Sequence, residues 1–130
     1  MVGIIRLLAR AGLAAIFIRS GLRALRDPGW QVAKASHAIP QLPEPELVAR
    51  AQAAVQVTAG AALAAGVAER LAAAALAATL IPITYVGHPF WTLEDAGERN
   101  QQITHFLKNL GLFGGLVLVA VAPRGRAEAD

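Results

Sequence analysis

LAAAALAATLIPITYVGHPFW, residues 71–91, decides how the rest of the chain is read. Sixteen apolar or small residues, Leu71 to Val86, run without a charge and end abruptly at Gly87, His88, Pro89, Phe90 and Trp91. A helix crossing a bilayer needs about 20 such residues. Pro89 stops the helix, and the aromatic pair sits where a membrane surface places such rings. The seam at 87–91 is therefore the end of a membrane span, and His88 is the residue there with chemistry to offer.

Composition agrees. Hydrophobic residues make up 55% of the 130-residue chain and charged residues only 16%, against about a quarter in water-soluble domains. Alanine supplies much of the apolar count, which suits helices that approach closely in lipid. The length predicts a single domain covering 1–130. The net charge of +3 does not point to nucleic acid, because the basic residues are scattered among apolar segments rather than gathered with aromatics. No cysteine is present, which excludes disulfides, thiolate nucleophiles and ordinary iron–sulfur ligation.

Working outward, four segments read as membrane helices, at 4–25, 47–68, 71–91 and 103–122. The expected fold is all-α, an integral membrane four-helix bundle with up-down-up-down order. Only Ala68, Glu69 and Arg70 separate the second and third spans, so these form a hairpin. The connection at 26–46 holds Pro28, Pro40, Pro43 and Pro45 and cannot be one helix. The first span is interrupted by Arg6, Arg10, Arg19 and Arg23, whose long stems reach toward the headgroups. A basic start with a short apolar run also fits a cleavable leader, although no small-residue cleavage site follows. Before the last span, Thr92 reads as an N-cap with Asp95 in the N3 place of a capping box, so that helix is expected to start near residue 93.

An even number of spans puts both termini on one side. Gln56, Tyr85, His88, His105, Lys108 and Asn109 then fall together in the opposite half, with Gln52, Thr84 and Gln102. Gln52 and Gln56 share a helix face, as do Asp95, Arg99, Gln102, His105 and Lys108. A stripe of Arg19, Arg23 and Arg26 is expected to meet Glu94, Asp95 and Glu98. The glycines of LGLFGGL, with Gly60, are expected to mark close helix contacts. Pro82 should kink the third span or loosen its bonding. Each site residue has a plainer alternative: Lys108 as a snorkelling cation, the histidines as structural hydrogen-bonding groups, and Trp91 as belt.

ARAGLAAIFIRSGLRALRDP in the first span and its exit, AAVQVTAG in the second, and GHPFW followed by HFLKNLGLFGGL together resemble the DoxX family of small bacterial membrane proteins. The resemblance implies a four-helix membrane bundle and a redox-associated role, since the family takes its name from a subunit of a thiosulfate:quinone oxidoreductase and other relatives are linked to oxidant defence. The motif residues it carries onto this chain are Gly87, His88, Pro89, Phe90, Trp91, Phe106, Leu107, Lys108 and Asn109, with Gln56 and Gly60 from the second span. Arg19 stands where an apolar or small residue is expected.

Three functions compete. In the first, the polar half-bundle binds a quinone: Lys108, His105, His88 and Gln56 hydrogen-bond the carbonyls, Asn109 lies beside them, Trp91 or Tyr85 stacks on the ring, and a partner protein of a redox complex supplies electrons. In the second, the chain is a non-catalytic anchor or assembly subunit, its polar groups satisfy one another, and 26–46 and 92–102 dock a partner. The third, a permeation path, is weak for four short spans without an inverted repeat of broken helices. No catalytic residue and no metal site is assigned. Haem between His88 and His105 ranks below quinone, and pairing of copies through the glycine faces stays open. Arg6, Arg10, Arg70, Arg124 and Arg126 favour both termini on the cytoplasmic side of a bacterial plasma membrane; Arg23, Arg26, Lys34 and Arg99 oppose this but are diluted by acidic neighbours.

Overall fold

The computed structural model describes residues 1–123; Arg124 and Arg126 lie outside the described residues. The fold is all-helical, with α1 (Val2–Arg26), α2 (Gly29–Ala38), α3 (Pro45–Ala65), α4 (Glu69–Gly87) and α5 (Ala96–Val121), and a 3-10 turn at Phe90–Thr92. Three helical stretches are long and apolar enough to cross a membrane: α3, α4 with its 3-10 extension, and α5. Only 11% of the apolar window of α5 is buried inside the protein. Leu71, Ile81, Leu110 and Leu118 point outward and are more than half exposed. Water would oppose so much exposed hydrocarbon, so the chain is a membrane protein. The first expected span is a helix of 25 residues, but its arginines keep it off the list of helices apolar enough to cross.

Close backbone approach joins α1 to α3. At Gly21 an added Cβ would meet Val57 Cγ2 at 2.7 Å and the carbonyl oxygen of Ala53 at 2.8 Å; at Gly60 it would meet Ile18 Cγ1 at 2.8 Å. The paired positions run in opposite directions, so α1 and α3 are antiparallel. The expectation for Gly60 is met. Gly111 and Gly114 do not make the expected contact: a Cβ at either would meet nothing within 4 Å. They lie on the outward face of α5, and only Gly115 reaches α1, through Leu13.

The α3–α4 hairpin turns through a Schellman motif. Gly66 adopts φ +75, its N–H donates to the carbonyl of Leu63, and that of Val67 donates to Ala62. Arg10 of α1 lies over this turn, with its guanidinium against Gly66, and pairs with Glu69. Arg10 is thus held within the chain rather than left to reach for headgroups. Arg70 donates to the carbonyl of Ala120 at 2.8 Å, tying α4 to the far end of α5. Beside this turn sits the core: Ala14 and Phe17 of α1, Leu63 of α3, Ala72, Ala73, Leu76, Ala77 and Leu80 of α4, and Leu116 of α5.

The opposite end departs from expectation in two places. Thr92 does not cap α5; its hydroxyl donates to the carbonyl of Pro89 within the 3-10 turn. Asp95 is the cap, accepting from the Glu98 N–H at 2.8 Å, so the helix starts at Ala96. Arg99 explains the delay, because its guanidinium donates to the carbonyls of Leu93 and Glu94 and holds them in a non-helical path. Arg19, Arg23 and Arg26 are exposed, and among the described residues they form no ion pair with Glu94, Asp95 or Glu98. The proline-rich connection is, as expected, not one helix; it contains the short α2, ten residues between Pro28 and Pro40, with Asp27 accepting from the Gly29 N–H at its start.

Gly21→Ala should lower stability by about 1–3 kcal/mol, the usual cost of overpacking, because the Ala53 carbonyl cannot move aside. Gly12→Ala, with nothing within 4 Å of its Cβ, should leave stability unchanged or raise it by up to about 1 kcal/mol through helix propensity. Thermal unfolding of both variants in detergent checks the contrast.

Candidate functional site

Beyond the core, toward the 3-10 turn, the protein is hollow. A cavity of about 350 Å³ lies among α1, α3, α4 and α5, with α2 packed against α3 and α4 beside it. That is within the range of small-molecule sites, which begins near about 300 Å³. Its walls are mostly apolar, with Ile16 and Phe17 from α1 and Leu80 and Ile83 from α4.

The polar lining comes from five elements, with Ser20 contributed by α1. Gln52 and Gln56 project from one face of α3, and Gln56 is 5% exposed. His88 enters from the end of α4, Lys108 and Asn109 from α5. Asn109 is 5% exposed, and its Nδ2 donates to Thr84 Oγ1 at 3.0 Å. Lys108 reaches the cavity from an exposed position. From α2 come Trp30, Gln31 and Lys34, with the Lys34 ammonium 5.7 Å from the centre of the Trp30 ring. The side-chain oxygen of Gln31 is buried without a hydrogen-bond partner.

His88 is positioned from two sides. Gln102 Oε1 lies 2.7 Å from His88 Nδ1. With that oxygen accepting, Nδ1 holds the proton and Nε2 is left as an acceptor. The His105 ring stacks on His88, centroids 5.1 Å apart at an interplanar angle of 17°. Ring nitrogens coordinate in the plane of the ring, so near-parallel stacked imidazoles do not converge on one metal between them. His105 therefore supports His88 and does not itself line the cavity.

Tyr85 and Trp91 lie elsewhere. They border an outer groove of about 280 Å³ on the α4–α5 seam, with Ile81, Phe106 and Phe113. Their rings are 5.7 Å apart and about half exposed. Phe90 stands edge-on to both Trp91 and Phe106, with centroids 5.2 and 5.3 Å away. This is the arrangement of an aromatic belt. The structure thus brings Gln56, His88, Lys108 and Asn109 to one cavity, sets His105 behind His88, and puts Tyr85 and Trp91 outside. Leu80 and Asn109 border both recesses.

With the geometry in view, comparison with known families gives one match. A DoxX family model covers residues 5–89, well over half of the chain. The chain belongs to the DoxX family. Comparison with curated proteins and with solved structures returned no match. The DoxX match runs from α1 to Pro89 and includes Gln56, Tyr85 and His88; α5, with His105, Lys108 and Asn109, lies beyond it. The residues that sequence reasoning did not find are Trp30, Gln31 and Lys34. The signal available for them was the proline-free stretch GWQVAKASHA, long enough for a short helix, between Pro28 and Pro40.

Thr84→Val should cost about 0.6–1.7 kcal/mol, the range for interhelical hydrogen bonds in membranes. With Asn109→Leu already present, the same change should cost almost nothing, since the partner is gone. A double-mutant cycle by unfolding in detergent measures this.

Proposed function

We propose that this DoxX chain is a membrane subunit of a redox system and binds the head group of a membrane-soluble quinone in its inner cavity. In this reading α1, α3, α4 and α5 form an up-down-up-down four-helix bundle in a bacterial plasma membrane. Both termini are cytoplasmic, in keeping with Arg6 and Arg70 at that end; Arg10, paired with Glu69, no longer counts toward that bias. The observation that carries the proposal is the cavity itself: mostly apolar walls with amide, ammonium and imidazole groups gathered among them. A molecule that dissolves in lipid and carries carbonyl oxygens matches that lining.

The residues fit such a head group. Gln56 is buried in the wall and offers a carboxamide N–H to a carbonyl. Lys108 offers a charged donor. Asn109 is oriented by its bond to Thr84, which fixes the direction of its remaining groups. His88, held at Nδ1 by Gln102, keeps Nε2 for a head-group proton. A quinone supplies the electron-carrying chemistry when bound. This chain has no cysteine, so a partner protein delivers the electrons. Trp30 replaces Trp91 and Tyr85 as the aromatic residue at the ring.

A second reading has its own support. The His88–Gln102 and Asn109–Thr84 bonds are made within the chain, as in an anchor subunit whose polar groups only hold its helices together. In that case the exposed Trp30 and the 92–102 segment serve as docking points for a partner.

The two tryptophans separate the cavity from the groove. In a Trp91→Phe protein, added quinone should quench Trp30 fluorescence saturably. In a Trp30→Phe protein, Trp91 should show only the weak, non-saturating loss expected of a ring facing lipid. Gln56→Leu should abolish the saturable phase and any quinone retained in native mass spectrometry of gently purified protein. Saturable quenching of Trp91 alone would move the site to the outer groove, and none at either tryptophan would favour the anchor.

A further inference from the structure

The charge lining the cavity is one-sided. Its ionisable side chains are Lys34, Lys108 and His88, and no aspartate or glutamate lines it. The two lysines come from different elements, α2 and α5. Among the described residues neither takes part in an ion pair. Four of the described acids are committed elsewhere, Glu69 to Arg10, Glu46 to Arg50, Asp95 to the start of α5 and Asp27 to the start of α2, and Glu44, Glu94 and Glu98 do not line the cavity. The Trp30 ring beneath Lys34 steadies the ammonium without cancelling its charge.

Cations beside an apolar cavity at membrane depth are costly unless something of opposite sign meets them. Among the described residues no acid lines the cavity to meet them, so a ligand is the source of charge the site can draw on. We infer that the cavity selects a quinone whose ring carries a negative charge, as an ionised ring hydroxyl does, over the same ring without one. This rests on the quinone reading and narrows its substrate class. Lys34 and Lys108 meet the ring oxyanion from two sides. Gln56 and Asn109 address the carbonyls. An anionic phospholipid offers the same sign of charge, but its bulky head and two chains fit a cavity of about 350 Å³ poorly.

The test compares two probes on the full-length Trp91→Phe protein in neutral detergent. One is a naphthoquinone with an acidic ring hydroxyl, ionised at neutral pH; the other is unsubstituted naphthoquinone. The absence of cysteine removes thiol addition as an interference. Trp30 quenching should give an affinity at least about tenfold higher for the ionised probe, in keeping with a desolvated charge pair. Lys34→Met should erode that preference while leaving the affinity for the neutral probe unchanged, which also reports that the variant is folded; Lys108→Met should weaken both probes, and the ionised one by more. Lys108→Arg should retain the preference. Equal affinities for the two probes would overturn the inference and leave the quinone reading standing. Saturable binding of neither would overturn both. Displacement of the ionised probe by phosphatidylglycerol would also overturn it, assigning the lysines to a lipid.

Discussion

The closeness of α1 to α3 is the constraint on which the rest of the molecule depends. In lipid there is no hydrophobic gain from bringing two apolar helices together, so contact must come from packing and polar pairing. Gly21 and Gly60 allow it, each leaving a backbone where a side chain would collide with the neighbour. The same approach buries Ala14 and Phe17 against Leu63 and Leu76, and so forms the core. Gly21 also stands next to Gln56, whose Cβ is 3.1 Å from where its own would be. The seam that holds the bundle therefore fixes the carboxamide that lines the cavity.

The two ends of the protein are built by different rules. Near the α3–α4 turn, small and branched apolar residues fill space, and the charges packed against the turn are tied off, Arg10 by Glu69 and Arg70 by a backbone carbonyl. Toward the 3-10 turn, longer polar residues line a space they do not fill. Two of the polar groups there, His88 and Asn109, are fixed by partners on a neighbouring element. The lysines and Gln31 are not. A packed apolar base thus carries above it polar groups of which some are held and others are free to move.

Much of this was legible in the sequence, because hydropathy and proline positions act locally. The spans ending in GHPFW and bounded by Glu69 and Arg70, the gathering of Gln56, His88, Lys108 and Asn109, and the close approach at Gly60 all follow from order and spacing. What was not legible depends on the direction of side chains around a helix. Tyr85 is three residues before His88, yet the helix turns it to the outer groove. Gly111 and Gly114 have the spacing of a packing face but point away from every other helix in the chain. Asp95 rather than Thr92 caps α5 because Pro89 draws Thr92 into the 3-10 turn and Arg99 binds the carbonyls between. α2 was hidden by the prolines around it.

The Arg10–Glu69 pair also bears on how the protein is made. The partners are 59 residues apart, and synthesis delivers the arginine first. Until the α3–α4 hairpin exists, α1 carries a charge with no partner and lacks the unbroken apolar length that holds a helix in lipid. Completion of the hairpin supplies the carboxylate and the Gly66 surface together. α1 thus leaves the ribosome before the hairpin it packs on, and the hairpin acts as the template on which it settles.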